Sequence, residues 1–508
     1  MTTSTSPSNT VTIALTLVLT LVITLTLVPT PATGSSSSGT RYELSTQYDP
    51  VANGGAVVTS GNARFTILTP RVIRCEYASS ATFVDAATTA FINRNTTVPE
   101  YTKTSSNGVL KIETAYLSLT YSEGKTFSAS SLQIASVANA PPAGSRSPRW
   151  TQKHAPKASP AFETWVYGAE PHKNLEGTIK SLDLLGVVTL NCTENANLRI
   201  HDESLHCRWG LVSRSGWAAV QDADNYLLTK DLGWWEGDSN PVQNPNQDDV
   251  YFFGHGSDYM GALEDFVLLA GKIPMAPRYS AGIFRTRWYD YAAHDVLDVV
   301  DDYLIRSIPL DVVILDMDWH VKFDGSTQNI WGAYSWDERL YPIPEAFVAA
   351  LSAKNLPMMV NIHDDNGIAT GEAMYKQAAA ALGVSSGAPI PFDIVSRNYS
   401  YVLEDIVLGA VVDAAGAPPY GIDTGSSSYW GGWWTDFQQG GNQGNTPGGY
   451  LSAEIVLNKL RGTDYMRRGI NQRDYTLSRW GGFGNHRYGQ GFSGGTYELV
   501  SASERQRA

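Results

Sequence analysis

DVVILDMDWH, residues 311–320, is the stretch on which the fold turns. Val312, Val313, Ile314 and Leu315 make an apolar run of strand length, and acids and an aromatic follow at once. The run therefore reads as a buried strand with polar chemistry at its carboxyl end. Upstream, RYSAGIF (278–284) reads as another strand, and between the two Val296, Val299, Val300, Tyr303 and Leu304 recur at helical spacing. The strand-helix rhythm then repeats. Helices are expected from about Glu345 to Lys354, Glu372 to Leu382, Tyr401 to Ala414 and Ala453 to Arg461, and strands over Met358–Ile362, Gly432–Thr435 and Tyr475–Ser478. Apolar parallel strands alternating with amphipathic helices argue for a (β/α) barrel. A doubly wound sheet is the competing layout, but no G-x-G-x-x-G turn follows the first strand.

Ahead of this region the pattern differs. From Arg41 to Pro274, short alternating runs such as ARFTILTP, RVIRCEYA and GVLKIETAYLSLTYS are punctuated by Gly, Asn, Ser and Pro. This is the signature of antiparallel strands in a β-sandwich. The fold expected is α/β plus all-β, with an antiparallel β-sandwich over 41–274, Ala138 to Pro160 as a surface loop within it, and an incomplete (β/α)8 (TIM) barrel over 275–508. Residues 1–34 read as a signal peptide: no charged side chain occurs in the first forty residues, and Val11 to Val28 are unbroken Val, Thr, Ile, Ala and Leu. An uncleaved membrane anchor is the alternative, with 35–40 a polar linker. N-x-S/T triplets at Asn95, Asn191 and Asn398 would accept glycans in a secretory pathway.

A chain of 508 residues with 43% hydrophobic and 17% charged side chains can bury full-sized cores. A net charge of −13 disfavours nucleic acid as a partner. Cys192 and Cys207 bracket a short stretch that an oxidising compartment could bridge, leaving Cys75 single. No HExxH or Cys/His spacing calls for a metal, and no cofactor is expected.

In a barrel, side chains just past the strands' carboxyl ends share one site. Those positions hold Asp316 and Asp318, Asp364 and Asp365, Asp436 and Arg479, with Trp319, Trp434, Trp480 and Phe492 nearby. Acids lined by aromatics suit glycosidic-bond hydrolysis, in which one carboxylate attacks the anomeric carbon and another group protonates the leaving oxygen. Helix capping or ion pairing would account for any one of these acids alone.

NLEGTIKSLD, GLVSRSGWAAVQDA, LDMDWH, GAYSWDERLYPIPEAF, NIHDDNGI, WWTDFQQGG and LSRWGGFGNHRYGQGFSGG together resemble glycoside hydrolase family 31, the retaining α-glucosidase and α-xylosidase group. The resemblance implies Asp436 as nucleophile, Trp434 as a wall of the sugar subsite, and Asp316 and Arg479 as groups gripping the sugar, with Asp318 beside them. It also implies an aromatic role for Phe492 and carbohydrate as the partner. The family's general acid/base follows the glycine of an S-G-D segment, and here FSGGT places Gly495 there. The family also continues through further barrel strands where this chain stops at Ala508. Either an incompletely read glycosidase, the favoured reading, or a truncated relative without catalysis is expected. Glu498 is a substitute acid to test. Transglycosylase and α-glucan lyase chemistry stay open.

Overall fold

The computed structural model describes residues 48–141, 159–169, 210–223, 225, 227–228, 247–322, 332–385, 387–394, 396–416, 430–436, 453–467, 475–478, 483–488 and 490–491. All of them fall within one compact unit, Arg41–Ala508. The expected signal segment, Asn191, Cys192, Cys207, Arg479, Trp480, Phe492, Gly495 and Glu498 lie outside the described residues.

Two five-stranded antiparallel sheets form the N-terminal part. One runs in the order Val57–Ser60, Ala63–Thr69, Val72–Ala78, Gln247–Gly254, Trp217–Gln221, and the other Tyr101–Ser106, Val109–Thr114, Leu117–Ser122, Leu132–Ser136, Trp165–Val166. Period-two alternation sends Phe65, Ile67, Ile73 and Phe252 into a core shared with Ile112, Leu119, Tyr121, Ile134 and Trp165 of the second sheet. The opposite face of the first sheet sends Val72, Tyr251 and Phe253 onto the helix Tyr259–Ala270 through Phe266 and Leu269. Cover on both faces is why Ala63–Thr69 is buried at every position. Cys75 sits in this core as a buried free thiol.

The second part is one parallel sheet of six strands: β1 Phe284–Arg285, β2 Val312–Leu315, β3 Met358–Ile362, β4 Trp430–Thr435, β5 Thr476–Ser478 and β6 Gln490–Gly491, hydrogen-bonded in that order. RYSAGIF yields only a short strand at its end, because Arg278–Ala281 is a 3₁₀ turn. β6 is a sixth strand beyond the five read from sequence; a strand of two residues, Gln490 and Gly491, carries no periodicity to detect. The helix expected from Tyr401 to Ala414 is broken into α-turns at Arg397–Tyr401 and Gly409–Ala414 around a π-helical stretch, Val402–Leu408.

Alternation splits the parallel strands into two layers. Val313, Leu315, Met358, Val360, Ile362, Trp430 and Trp433 pack under the helices, joined there by Val300, Val348, Leu351 and Leu460. Val312, Ile314, Met359 and Tyr475 form a separate inner cluster, with Trp434 and Leu477 against it. Trp430 and Trp433 stand three residues apart, yet both belong to the helix-side layer, with ring centroids 4.9 Å apart. A regular strand cannot do this. The β3–β4 register pairs Met358 with Trp430 but Met359 with Gly432, so a bulge skips Gly431 and flips the strand's faces.

Gly432 holds φ +134 there, and a Cβ at that position would lie 2.0 Å from the Tyr475 carbonyl oxygen. Gly432→Ala should lower stability by at least about 1–3 kcal/mol, read from urea unfolding midpoints. A loss under about 0.5 kcal/mol, the range of ordinary surface substitutions, would contradict the strained bulge.

Candidate active site

With the faces fixed, the inward positions at the carboxyl ends follow from parity. Asp316 lies one residue past β2, Asn361 and His363 lie on and just past β3, and Asp436 lies one residue past β4. The Asp436 amide continues the ladder by donating to the Ile362 carbonyl at 3.2 Å.

One amide holds two of the acids together. Asn361 Nδ2 donates to Asp436 Oδ2 at 2.8 Å and to Asp316 Oδ1 at 3.2 Å. Asn361 is itself fully buried, and the buried Trp319 indole donates to its carbonyl at 2.7 Å. His363 Nε2 lies 3.7 Å from Asp436 Oδ2, the ring buried and the carboxylate 17% exposed. Asp436 therefore opens to solvent on one side and is held by protein on the other. Asp316 doubles as the N-cap of the 3₁₀ turn Met317–Trp319, accepting from the Met317 amide at 2.8 Å.

The remaining expected residues divide. Trp434 pairs with Asn361 across the β3–β4 ladder, is part-exposed, and packs on the inner cluster. Asp318 is 5% exposed and ion-paired with Lys322, which also reaches Asp290 at 3.4 Å. Trp319 braces Asn361 from the helix-side core instead of lining the mouth. Asp364 faces the other way: its carboxylate is fully buried, taking the Arg461 guanidinium at 2.6 Å and the Tyr334 hydroxyl at 3.0 Å. The reason is parity, since Asp364 follows the inward His363. Of Asp365 only the backbone, in the turn Asp364–Asn366, is described. Asn361 and His363 were missed as site residues although both stand in NIHDDNGI. Counting alternate positions from Met359 would have found them. A depression beside Asp316 and Asp318 is lined by Arg285, Arg287, Tyr289 and Tyr291.

Burial lifts the Asp316 pKa to about 6; the Met317 amide opposes the rise, while Asp436 and Asp318 add to it. Burial takes His363 down to about 4, against a smaller opposing pull from Asp364, so the ring beside Asp436 is neutral at neutral pH. The two shifts act oppositely on stability. From about pH 4 to 6 the folded chain binds the Asp316 proton more tightly than the unfolded chain, so this contribution falls as pH rises. The His363 contribution is lost at low pH and grows as pH rises from about 4 to 6.5.

The parallel strands thus present an acid cluster at their carboxyl ends, the face on which TIM barrels carry their active sites. A family model described as "Glycosyl hydrolases family 31 TIM-barrel domain" matches residues 273–402. The α-xylosidase of Saccharolobus solfataricus is 23% identical over 250 residues, 47% of this chain and 31% of that protein. Alpha-glucosidase 2 of Bacillus thermoamyloliquefaciens is 24% identical over 108 residues, 21% of this chain and 13% of that one. Two solved structures share the fold. A Flavobacterium johnsoniae GH31 dextranase complexed with glucose matches at TM-score 0.53 and 14% identity, over 88% of this chain and 56% of that one. A soil-metagenome GH31 α-xylosidase complexed with xylose matches at TM-score 0.54 and 13% identity, over 85% and 65%. Over residues 273–402 the chain is thus similar to the TIM-barrel domain of glycosyl hydrolases family 31. It spans about a third of the length of the Saccharolobus relative.

Asp316→Asn should gain stability relative to the unsubstituted chain as pH is raised from 4 to 6, read as the difference between their urea midpoints. A difference that stays flat across this window would contradict the raised Asp316 pKa.

Proposed function

We propose that this protein is a retaining α-glycosidase acting on α-glucosidic or related α-glycosidic bonds of oligosaccharides, with Asp436 as nucleophile. The observation that carries the reading is the single Asn361 amide bridging Asp436 and Asp316 at the carboxyl end of the parallel sheet. An amide donor orients the attacking oxygen, and the neutral His363 ring leaves the Asp436 charge uncancelled by a cation on that side. Asp316, titrating near 6, can both accept from and donate to sugar hydroxyls at mildly acidic pH. Trp434 supplies a flat wall, and Tyr289 adds exposed aromatic surface in the depression beside Asp316.

In the proposed first step, Asp436 Oδ attacks the anomeric carbon as the bond to the leaving oxygen breaks, and that oxygen takes a proton from an acid. In the second step water attacks the same carbon, the Asp436 ester breaks, and the water's proton leaves to a base. Gly495 stands where the family keeps that acid/base. Loss of a general acid costs about 10²- to 10⁴-fold when the leaving group needs a proton. This position favours a second reading, a carbohydrate-binding protein that retains the Asp436, Asp316 and Trp434 subsite without turnover. Within either reading we take Arg41 to Pro274 as a β-sandwich, residues 275–508 as part of a (β/α)8 barrel, and the protein as secreted. Arg479, Phe492 and Asp318 are proposed to contact or frame the sugar.

The enzyme reading predicts turnover of α-glucosyl fluoride at least about 10²-fold faster than of maltose, because fluoride leaves without a proton. Asp436→Asn should abolish that turnover by roughly 10³-fold or more. Equal rates on the two substrates would contradict the missing acid and direct mutation to Glu498. Calorimetric binding of maltose with no turnover of the fluoride would establish the binding reading instead.

A further inference from the structure

Behind the two inward-facing groups His363 and Asp436 lies a buried cation that the proposed chemistry does not use. Arg461, on the helix Ala453–Arg467, is fully buried. Its guanidinium donates to Thr435 Oγ1 and, at 2.6 Å, to Asp364 Oδ2. Thr435 immediately precedes Asp436, and Asp364 immediately follows His363. One rigid planar group thus ties together the carboxyl ends of β3 and β4 from the helix side, at the residues adjoining the two that meet on the inner side. Strand parity turns a pull on the outer neighbour into a constraint on the inner one.

The surroundings hold the guanidinium in place. Tyr334 donates its hydroxyl to the second Asp364 oxygen at 3.0 Å, and Glu404, in the π-helical stretch Val402–Leu408, brings a carboxylate oxygen 4.0 Å from Arg461 Nε. Leu457 and Leu460 anchor the same helix in the core, and Asn458, one turn earlier, donates to Ser478 Oγ of β5 at 3.0 Å. Burial works against the charge, but Asp364 and Glu404 together raise the Arg461 pKa. The charge is therefore permanent. The donation to Thr435 Oγ1 carries the contact of this one guanidinium from β3 across to β4, beside Asp436.

We propose that Arg461 is a positioning residue of the active site, acting through Thr435 and Asp364 to hold Asp436 and His363 in register. This rests on the glycosidase reading for its kinetic consequence and on geometry alone for its structural one, and the test separates them. The full-length chain and its Arg461→Met, Arg461→Lys and Thr435→Val variants are incubated with a 5-fluoro-α-glucosyl fluoride, and labelling of Asp436 is timed by intact mass and peptide mapping. A displacement of about 1 Å at the reacting group costs about 10²-fold. Arg461→Met should label about 10²-fold more slowly than the unsubstituted chain. Thr435→Val, which keeps the buried ion pair and so tests the idea should Arg461→Met fail to fold, should label roughly 10-fold more slowly. Arg461→Lys should recover part of the loss, with the apparent affinity for the reagent changed less than twofold. In parallel, ¹⁵N-histidine NMR follows His363, expected at a pKa of about 4 in the unsubstituted chain and shifted toward 6.5 in Thr435→Val and Arg461→Met as the ring loses its fixed burial. Variants that melt earlier but label at the unsubstituted rate and leave His363 unmoved would overturn the proposal and make Arg461 a purely structural ion. If the unsubstituted chain does not label, the glycosidase reading fails, and the His363 titration alone decides for or against Arg461.

Discussion

Everything at the site depends on the face that β4 presents, and that face is set by one bulge. The skip of Gly431 against β3, with Gly432 at φ +134, puts Trp430 and Trp433 together in the helix-side core and leaves Trp434 and Asp436 facing inward. Without the skip, a strand anchored by Trp430 would turn Trp433 inward and drive Asp436 toward the buried layer. An uncompensated carboxylate there costs several kcal/mol, whereas a buried tryptophan stabilises, so the bulge resolves a conflict between packing and chemistry in one short segment. Gly432 is required because the Tyr475 carbonyl occupies the space of any Cβ.

Once β4 is fixed, the electrostatics follow from who shares which side. Inward, Asp316, Asn361, His363 and Asp436 form a cluster with little cationic help among the described residues, so burial dominates and pushes Asp316 up and His363 down. Outward, one residue away along each strand, Thr435 and Asp364 meet the permanent charge of Arg461. The sheet backbone separates an ionised, rigid layer from a titratable one. The N-terminal sheets brace the assembly at the β5–β6 connection, where Arg487 donates to the Thr89 and Ala90 carbonyls at 2.6 and 3.2 Å and His486 meets the Gly271 carbonyl at 3.0 Å.

Much of this was legible in sequence because long apolar runs and helical spacing survive without context. β2, β3 and the helix Ala293–Ile305 fall where periodicity put them, and WWTD marked the inner end of β4. Asp364 was misread because it follows the inward His363 and so faces the helix-side core, and only the register tells which face the core receives. Asn361 went unnoticed for a related cause: an amide inside an apolar strand carries no charge to draw attention, yet buried it must bond, and here it bonds both acids. β6 and the π-helical stretch depend on tertiary pairing and packing, which local propensity does not encode.

Asp436, Asp316 and Trp434 together form the proposed sugar subsite. A crystal structure of the chain with 1-deoxynojirimycin tests it most directly. The ring nitrogen is predicted within about 2.7–3.2 Å of the Asp436 carboxylate, with a hydroxyl on Asp316. The inhibitor bound away from Asp436, or absent from this mouth at saturating concentration, would contradict the claim.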